Sequence, residues 1–85
     1  ALYVEPLLAT TSGRAVHIDN RKLSRLAKLA GAPESPAAGI QLQVRLGDEV
    51  TRGQSLMFLH AQTSGEMAYA LAYVHDIGDI VKIEP

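Results

Sequence analysis

Apolar and polar positions alternate or recur in seven short stretches, and each stretch predicts one element. Val4 to Thr10 is apolar and bounded by turn residues, so it reads as a strand. Pro6 supplies no ladder donor and confines that strand to an edge or a bulge. After the turn chemistry of Thr11-Ser12-Gly13, Arg14 to Ile18 alternates as a half-buried strand does, and the two strands are expected to form a hairpin. Leu23, Leu26, Ala27 and Ala30 then recur at i, i+3, i+4 and i+7, the stripe of an amphipathic helix. Asp19-Asn20 offers its N-cap, Gly31 its C′ residue, and Pro33 ends it. Ala32 to Gly39, with two prolines, reads as a loop.

In the second half, Ile40, Leu42, Val44 and Leu46 alternate with Gln41, Gln43 and Arg45, which is the clearest period-2 signal in the chain. Turns at Gly47-Asp48-Glu49 and Arg52-Gly53-Gln54 lead to Leu56-Met57-Phe58-Leu59, a run expected to be a strand buried on both faces. Thr63 and Glu66 fit a reciprocal capping box, each side chain bonding the other residue's backbone N–H. Met67, Ala70, Leu71 and Val74 form a second helical stripe, running roughly to Val74 and followed by Gly78. Ile80, Val81 and Ile83 give a last strand. The order is β-β-α-β-β-α-β, an α+β fold with strands paired mostly antiparallel, and residues 1–85 make one domain. Gly47-Asp48-Glu49-Val50 is echoed by Gly78-Asp79-Ile80-Val81, so two similar corners are expected.

Composition narrows what such a domain does. With 85 residues it buries roughly 60–70% of the surface its unfolded chain exposes, an adequate but thin core. No cysteine is present, which removes disulfide staples and thiolate chemistry. Net charge is −1, and the densest basic stretch, Arg21, Lys22, Arg25 and Lys28, lies on the first helix as a solvated face. Nucleic-acid binding calls for concentrated basic surface interleaved with aromatics, and this run contains none. No apolar run reaches the ~18–20 residues that span a bilayer. The first residues lack an initiating Met and a basic leader, as expected of a piece from the middle of a longer, cytoplasmic sequence.

Candidate reactive groups are few. His17 and Asp19, two apart, resemble an oriented imidazole, but a strand-end His beside a helix-capping Asp accounts for both. His60 ends a strand and His75 precedes Asp76 near a helix end, so no two histidines stand at metal-ligand spacing. Asp48 with Glu49, and Asp76 with Asp79, sit in turns as solvated carboxylates. No Gly-x-Ser-x-Gly elbow surrounds Ser12, Ser24, Ser35, Ser55 or Ser64; Ser12-Gly13 and Ser64-Gly65 read as turn and cap residues. No Gly-rich phosphate loop occurs. Tyr69 and Tyr73, at i and i+4, read as rings packed over a helix edge. The expected catalytic, cofactor-binding and metal sites are therefore none.

Gly47-Asp48-Glu49-Val50-Thr51-Arg52-Gly53-Gln54-Ser55-Leu56 resembles the Gly-Asp-x-Val-x-x-Gly-x-x-Leu pattern of biotinyl and lipoyl carriers and other barrel-sandwich modules. A swinging-arm carrier needs a lysine on the hairpin after that turn, and Met57 to Val81 holds none. A stand-alone interaction module is the other alternative. A longer match is more specific. Ser12 to Asn20 is similar to the Ser-Gly-x-Val-x-x-Ile-Asp-Asn entry to the C-terminal domain of thymidine phosphorylase-type enzymes. Ala30-Gly31-Ala32-Pro33, Gly39-Ile40-Gln41-Leu42, the Gly47 segment and Leu59-His60-Ala61 with Glu66 and Ala70 follow in the family's order.

That resemblance implies an α/β hammerhead fold related to barrel-sandwich hybrids, in a parent enzyme of reversible nucleoside phosphorolysis with phosphate as co-substrate. It further implies that the reacting groups lie in upstream helical and α/β domains, that this domain positions them and supports homo-oligomeric assembly, and that no functional residue carries over to this chain. Ala-Gly-Ala-Pro followed closely by Ala38-Gly39-Ile40 is more like the branch holding archaeal AMP phosphorylases. Glu34-Ser35-Pro36-Ala37 replaces the longer acidic link of ordinary bacterial members, which leaves nucleoside and nucleoside monophosphate both open as substrates.

Overall fold

The computed structural model describes residues 3–31, 39–78 and 80–85. The loop expected from Ala32, the Pro33 stop, Ser35 and Asp79 lie outside the described residues. Its elements are β1 (Tyr3–Leu8), β2 (Gly13–Ile18), α1 (Asn20–Leu29), β3 (Gly39–Leu42), β4 (Glu49–Val50), β5 (Ser55–Ala61), α2 (Ser64–Ile77) and β6 (Val81–Glu84). The fold is α+β, with all strand pairs antiparallel. It follows the order read from the sequence and adds the two-residue β4.

The strands form two three-stranded sheets, β1-β5-β3 and β4-β2-β6. The expected β1–β2 hairpin does not form: β1 pairs with β5, and β2 pairs with β4 and β6. The reason lies in the link between them. Ala9 is buried, its N–H donates to the Gln54 carbonyl at 2.8 Å, and its carbonyl accepts the Gly53 N–H at 2.9 Å. The Ser12 hydroxyl accepts the Arg52 N–H at 2.8 Å. The link is thus pinned to the turn before β5, and Thr11-Ser12-Gly13 carries the chain from one sheet into the other.

The alternation from Ile40 to Leu46 also breaks earlier than expected. β3 ends at Leu42, and although Val44 is still buried, Leu46 is 63% exposed. Here the chain passes from β3 in one sheet toward β4 in the other. The Gly47 N–H donates to the Ala15 carbonyl at 2.8 Å, and Asp48 Oδ2 accepts the Arg45 N–H at 2.8 Å, the turn-bonding role expected of that Asp.

One face of the β1-β5-β3 sheet carries Met57, Leu59 and Ala61, all buried, with Ile40 paired to Leu59. Both helices pack there. Leu26 and Ala30 of the α1 stripe, and Met67 and Ala70 of the α2 stripe, join these residues in one core. Ala15, Val50, Leu56, Ile80 and Val81 extend that core beneath the second sheet. β5 is not buried on both faces, because Phe58 and His60, pointing the other way, are only half-buried. Alternation in β2 is interrupted as well: the register shifts between Ala15 and His17, so Val16 and His17 are both exposed. A bulge of one extra residue has this effect, since it turns two successive side chains outward.

Asp19 caps α1, its Oδ1 accepting the Arg21 and Lys22 N–H groups at 3.0 and 3.1 Å. Only half of the capping box on α2 is reciprocal. Thr63 Oγ1 accepts the Glu66 N–H at 3.1 Å, while the Glu66 carboxylate takes the Thr63 hydroxyl at 3.0 Å rather than the backbone. α2 continues to Ile77, one turn beyond its expected end.

Candidate functional site

The three histidines stand on three different elements. His17 is exposed near the end of β2, opposite Lys82 of β6. His60 is half-buried on β5 in the other sheet, opposite Val4 and Gly39. His75 is in the last turn of α2, with Nδ1 3.6 Å from Asp76 Oδ1 and both side chains open to water. An exposed pair of this kind contributes little. Among the described residues, no three His, Asp or Glu side chains are grouped as metal ligands.

Asp19, the partner expected for His17, spends its carboxylate on the helix. The Lys22 backbone N–H holds its carboxyl below the ordinary aspartate range; partial removal from water opposes that, and the Arg21 N–H adds to it. The charged form is favoured because both donors satisfy it. Asp48 closes its own turn, and Glu49 faces Arg14 across 4.0 Å with both side chains solvated. Ser12 holds the Arg52 backbone, a turn role, whereas the cap of α2 is Thr63 with Ser64 inside the helix. Tyr73 packs against the core as a helix-edge ring; Tyr69 does not, being 73% exposed.

The basic run on α1 shares an open surface depression of about 610 Å³ with Asp19, Asn20, Ser24 and Tyr73. Arg21, Arg25 and Lys28 are exposed there. Lys22 has a role that periodicity does not reveal: its ammonium donates to the Ile77 carbonyl at 3.3 Å. It thereby tethers α1 to the carbonyl-rich end of α2, where a cation is favoured. A second feature the sequence did not disclose is an apolar cleft of about 220 Å³ between the sheets, lined by Leu7, Leu8, Leu56, Val74, Ile80 and Ile83. Its lining residues come from four elements and two of the links between them, so no local pattern in the chain marks it.

Among the described residues, this geometry offers turns, caps and packing surfaces, with the titratable side chains dispersed. Comparison with known proteins places it. Residues 15–80 match the family described as "Pyrimidine nucleoside phosphorylase C-terminal domain". A Tolumonas auensis protein named "Putative thymidine phosphorylase" is 94% identical over 85 residues, which is 100% of this chain and 17% of the relative. A Chelativorans protein of the same name is 64% identical over 84 residues, 99% of this chain and 16% of its own length. One from Legionella pneumophila is 43% identical over 81 residues, 95% of this chain and 16% of its own length. The chain thus spans about a sixth of the length of these relatives. With two-sheet α+β architecture and a match across most of its length, the chain belongs to the pyrimidine nucleoside phosphorylase C-terminal domain family.

Proposed function

We infer that this domain positions and helps assemble a thymidine phosphorylase-type enzyme, and leaves bond-making to the rest of that polypeptide. The observation that carries this reading is the match of residues 15–80 to a C-terminal domain, together with relatives about six times longer. The parent reaction is phosphorolysis: thymidine and phosphate give thymine and 2-deoxyribose 1-phosphate. Such chemistry depends on holding phosphate and an electron-poor sugar in line, by proximity and by fixed charge. The solvated, dispersed side chains described above favour no such constellation here. The names of the relatives favour thymidine over a nucleoside monophosphate as the parent's substrate.

Two measurements test the reading. The 85 residues alone are expected to release no base from thymidine, uridine or a nucleoside monophosphate above a buffer control. Removing this domain from the full-length enzyme is expected to lower its melting temperature or its oligomeric order, and turnover only through that loss. A truncated enzyme with unchanged melting and assembly overturns the positioning role.

A further inference from the structure

Half of the chain's basic residues stand on one helix. Arg21, Lys22, Arg25 and Lys28 are four of eight, and no acidic residue lies between Asn20 and Pro33. A solvated helix face ordinarily mixes signs, with acids three or four residues from bases. Here those spacings set like against like: Arg21 with Arg25 at i, i+4, and Lys22 with Arg25 and Arg25 with Lys28 at i, i+3. Each such pair opposes the helix. Exposure accounts for the water around this face but not for its single sign.

The three exposed cations form one stripe. Arg21, Arg25 and Lys28 recur at i, i+4 and i+7, on the side of α1 away from the buried Leu26 and Ala30. Among the described residues, none of the three enters an ion pair. All three line the open depression of about 610 Å³, a volume within the range of ligand clefts. The one carboxylate in that lining, Asp19, is turned onto the Arg21 and Lys22 backbone N–H groups. Lys22 also lines it, with its ammonium on the Ile77 carbonyl. Tyr73 comes from α2, half-buried and packed against the core, so the place of its ring is fixed. The depression therefore has a cationic side and an aromatic side, carried by different helices.

That combination selects a chemistry. Arginine forks and a lysine ammonium bond phosphate oxygens, and a tyrosine ring stacks the planar face of a base. From Arg21 to Lys28 the helix rises about 10 Å. This is short for a nucleic-acid surface, which engages about six to ten phosphates, and ample for the phosphates of one nucleotide. We propose that the Arg21–Arg25–Lys28–Tyr73 depression binds a nucleoside triphosphate, with its phosphates along the α1 stripe and its base against Tyr73. Such binding does not depend on the positioning role inferred above.

The probe is 8-azido-ATP, irradiated on the full-length polypeptide, with the labelled residues found by mass spectrometry. The expected result is label on Tyr73 or on the α1 residues of the depression, displaced by ATP at least about tenfold more readily than by tripolyphosphate, as stacking of a base requires. Arg21→Gln with Arg25→Gln is expected to lose at least about tenfold of that label. This double variant should melt no lower than the parent, since it relieves a like-charge pair on an exposed face. Lys28→Gln is read in parallel and is expected to weaken labelling as well, so a folding defect in one variant does not decide the result. Label confined to other parts of the polypeptide, or label that survives these substitutions, would overturn the proposal. Tripolyphosphate competing as well as ATP would also overturn it, by reducing the site to a patch for bare phosphate chains.

Discussion

Gly13 and Gly53 are both turn glycines by sequence, yet the structure holds them for different reasons. Gly53 has φ +89°, with open space where a Cβ would stand, so its constraint is backbone conformation alone. Gly53→Val is expected to cost about 1–3 kcal/mol, read from denaturant melts, because a β-branched residue resists that region. At Gly13 a Cβ would collide with the backbone carbonyl of Glu84. Backbone cannot step aside as a side chain can, so Gly13→Ala is expected to lower stability more than Gly53→Ala does. Equal losses would show that β6 yields. The Gly53 turn was readable from Arg52-Gly53-Gln54, but the collision at Gly13 was not, because β6 lies some 70 residues downstream.

Asp19 supplies a pH signature at the same scale. Its carboxyl is depressed below the ordinary aspartate range by the Lys22 and Arg21 N–H groups. A depressed pKa means that the cap stabilises fully above the unfolded value, near 3.8, and is lost as pH falls through the folded one. Asp19→Ala is therefore expected to melt below the parent at pH 7, with the gap closing as the pH is taken well under that range. A gap that persists undiminished in acid would mean the carboxylate is not the cap. The residue pair that looked most like chemistry, His17 with Asp19, thus resolves into a helix start beside a bulged, exposed strand end.

At the scale of elements, both helices and every strand except the two-residue β4 were legible, since an apolar stripe at 3.6 or 2 residues is a local property of the chain. Pairing was not. The β1–β2 hairpin was expected because a Ser-Gly turn joins two strands, but Ala9 is worth more buried against the 53–54 turn than in a tight hairpin. The same competition shortened β3, where the period-2 pattern runs on through a crossing between sheets. Leu26 marks where the elements meet: it is fully buried in the core that joins α1 and α2 to the sheet. Leu26→Ala is expected to cost about 2–5 kcal/mol, the range for opening a cavity in a packed core. A loss under about 1 kcal/mol by chemical denaturation would place α1 outside the cooperative unit.

Over the whole molecule, the sequence made family and fold class legible while leaving the pairing of the strands hidden. Motifs such as Gly47-Asp48-Glu49-Val50 persist because turns need particular residues, so they report architecture well. Which side chains share a sheet face is written only in register, and register appears once β1 is seen to lie against β5. The central claim is that this domain positions an enzyme without taking part in its chemistry. Phosphorolysis by the full-length enzyme is the direct measurement, made on His17→Ala, His60→Ala and His75→Ala alongside melting temperature and oligomeric state. The account predicts that any loss of turnover in these variants accompanies a matching loss of stability or assembly. One variant that abolishes turnover while melting and assembling like the parent would place a catalytic group in this domain and contradict the claim.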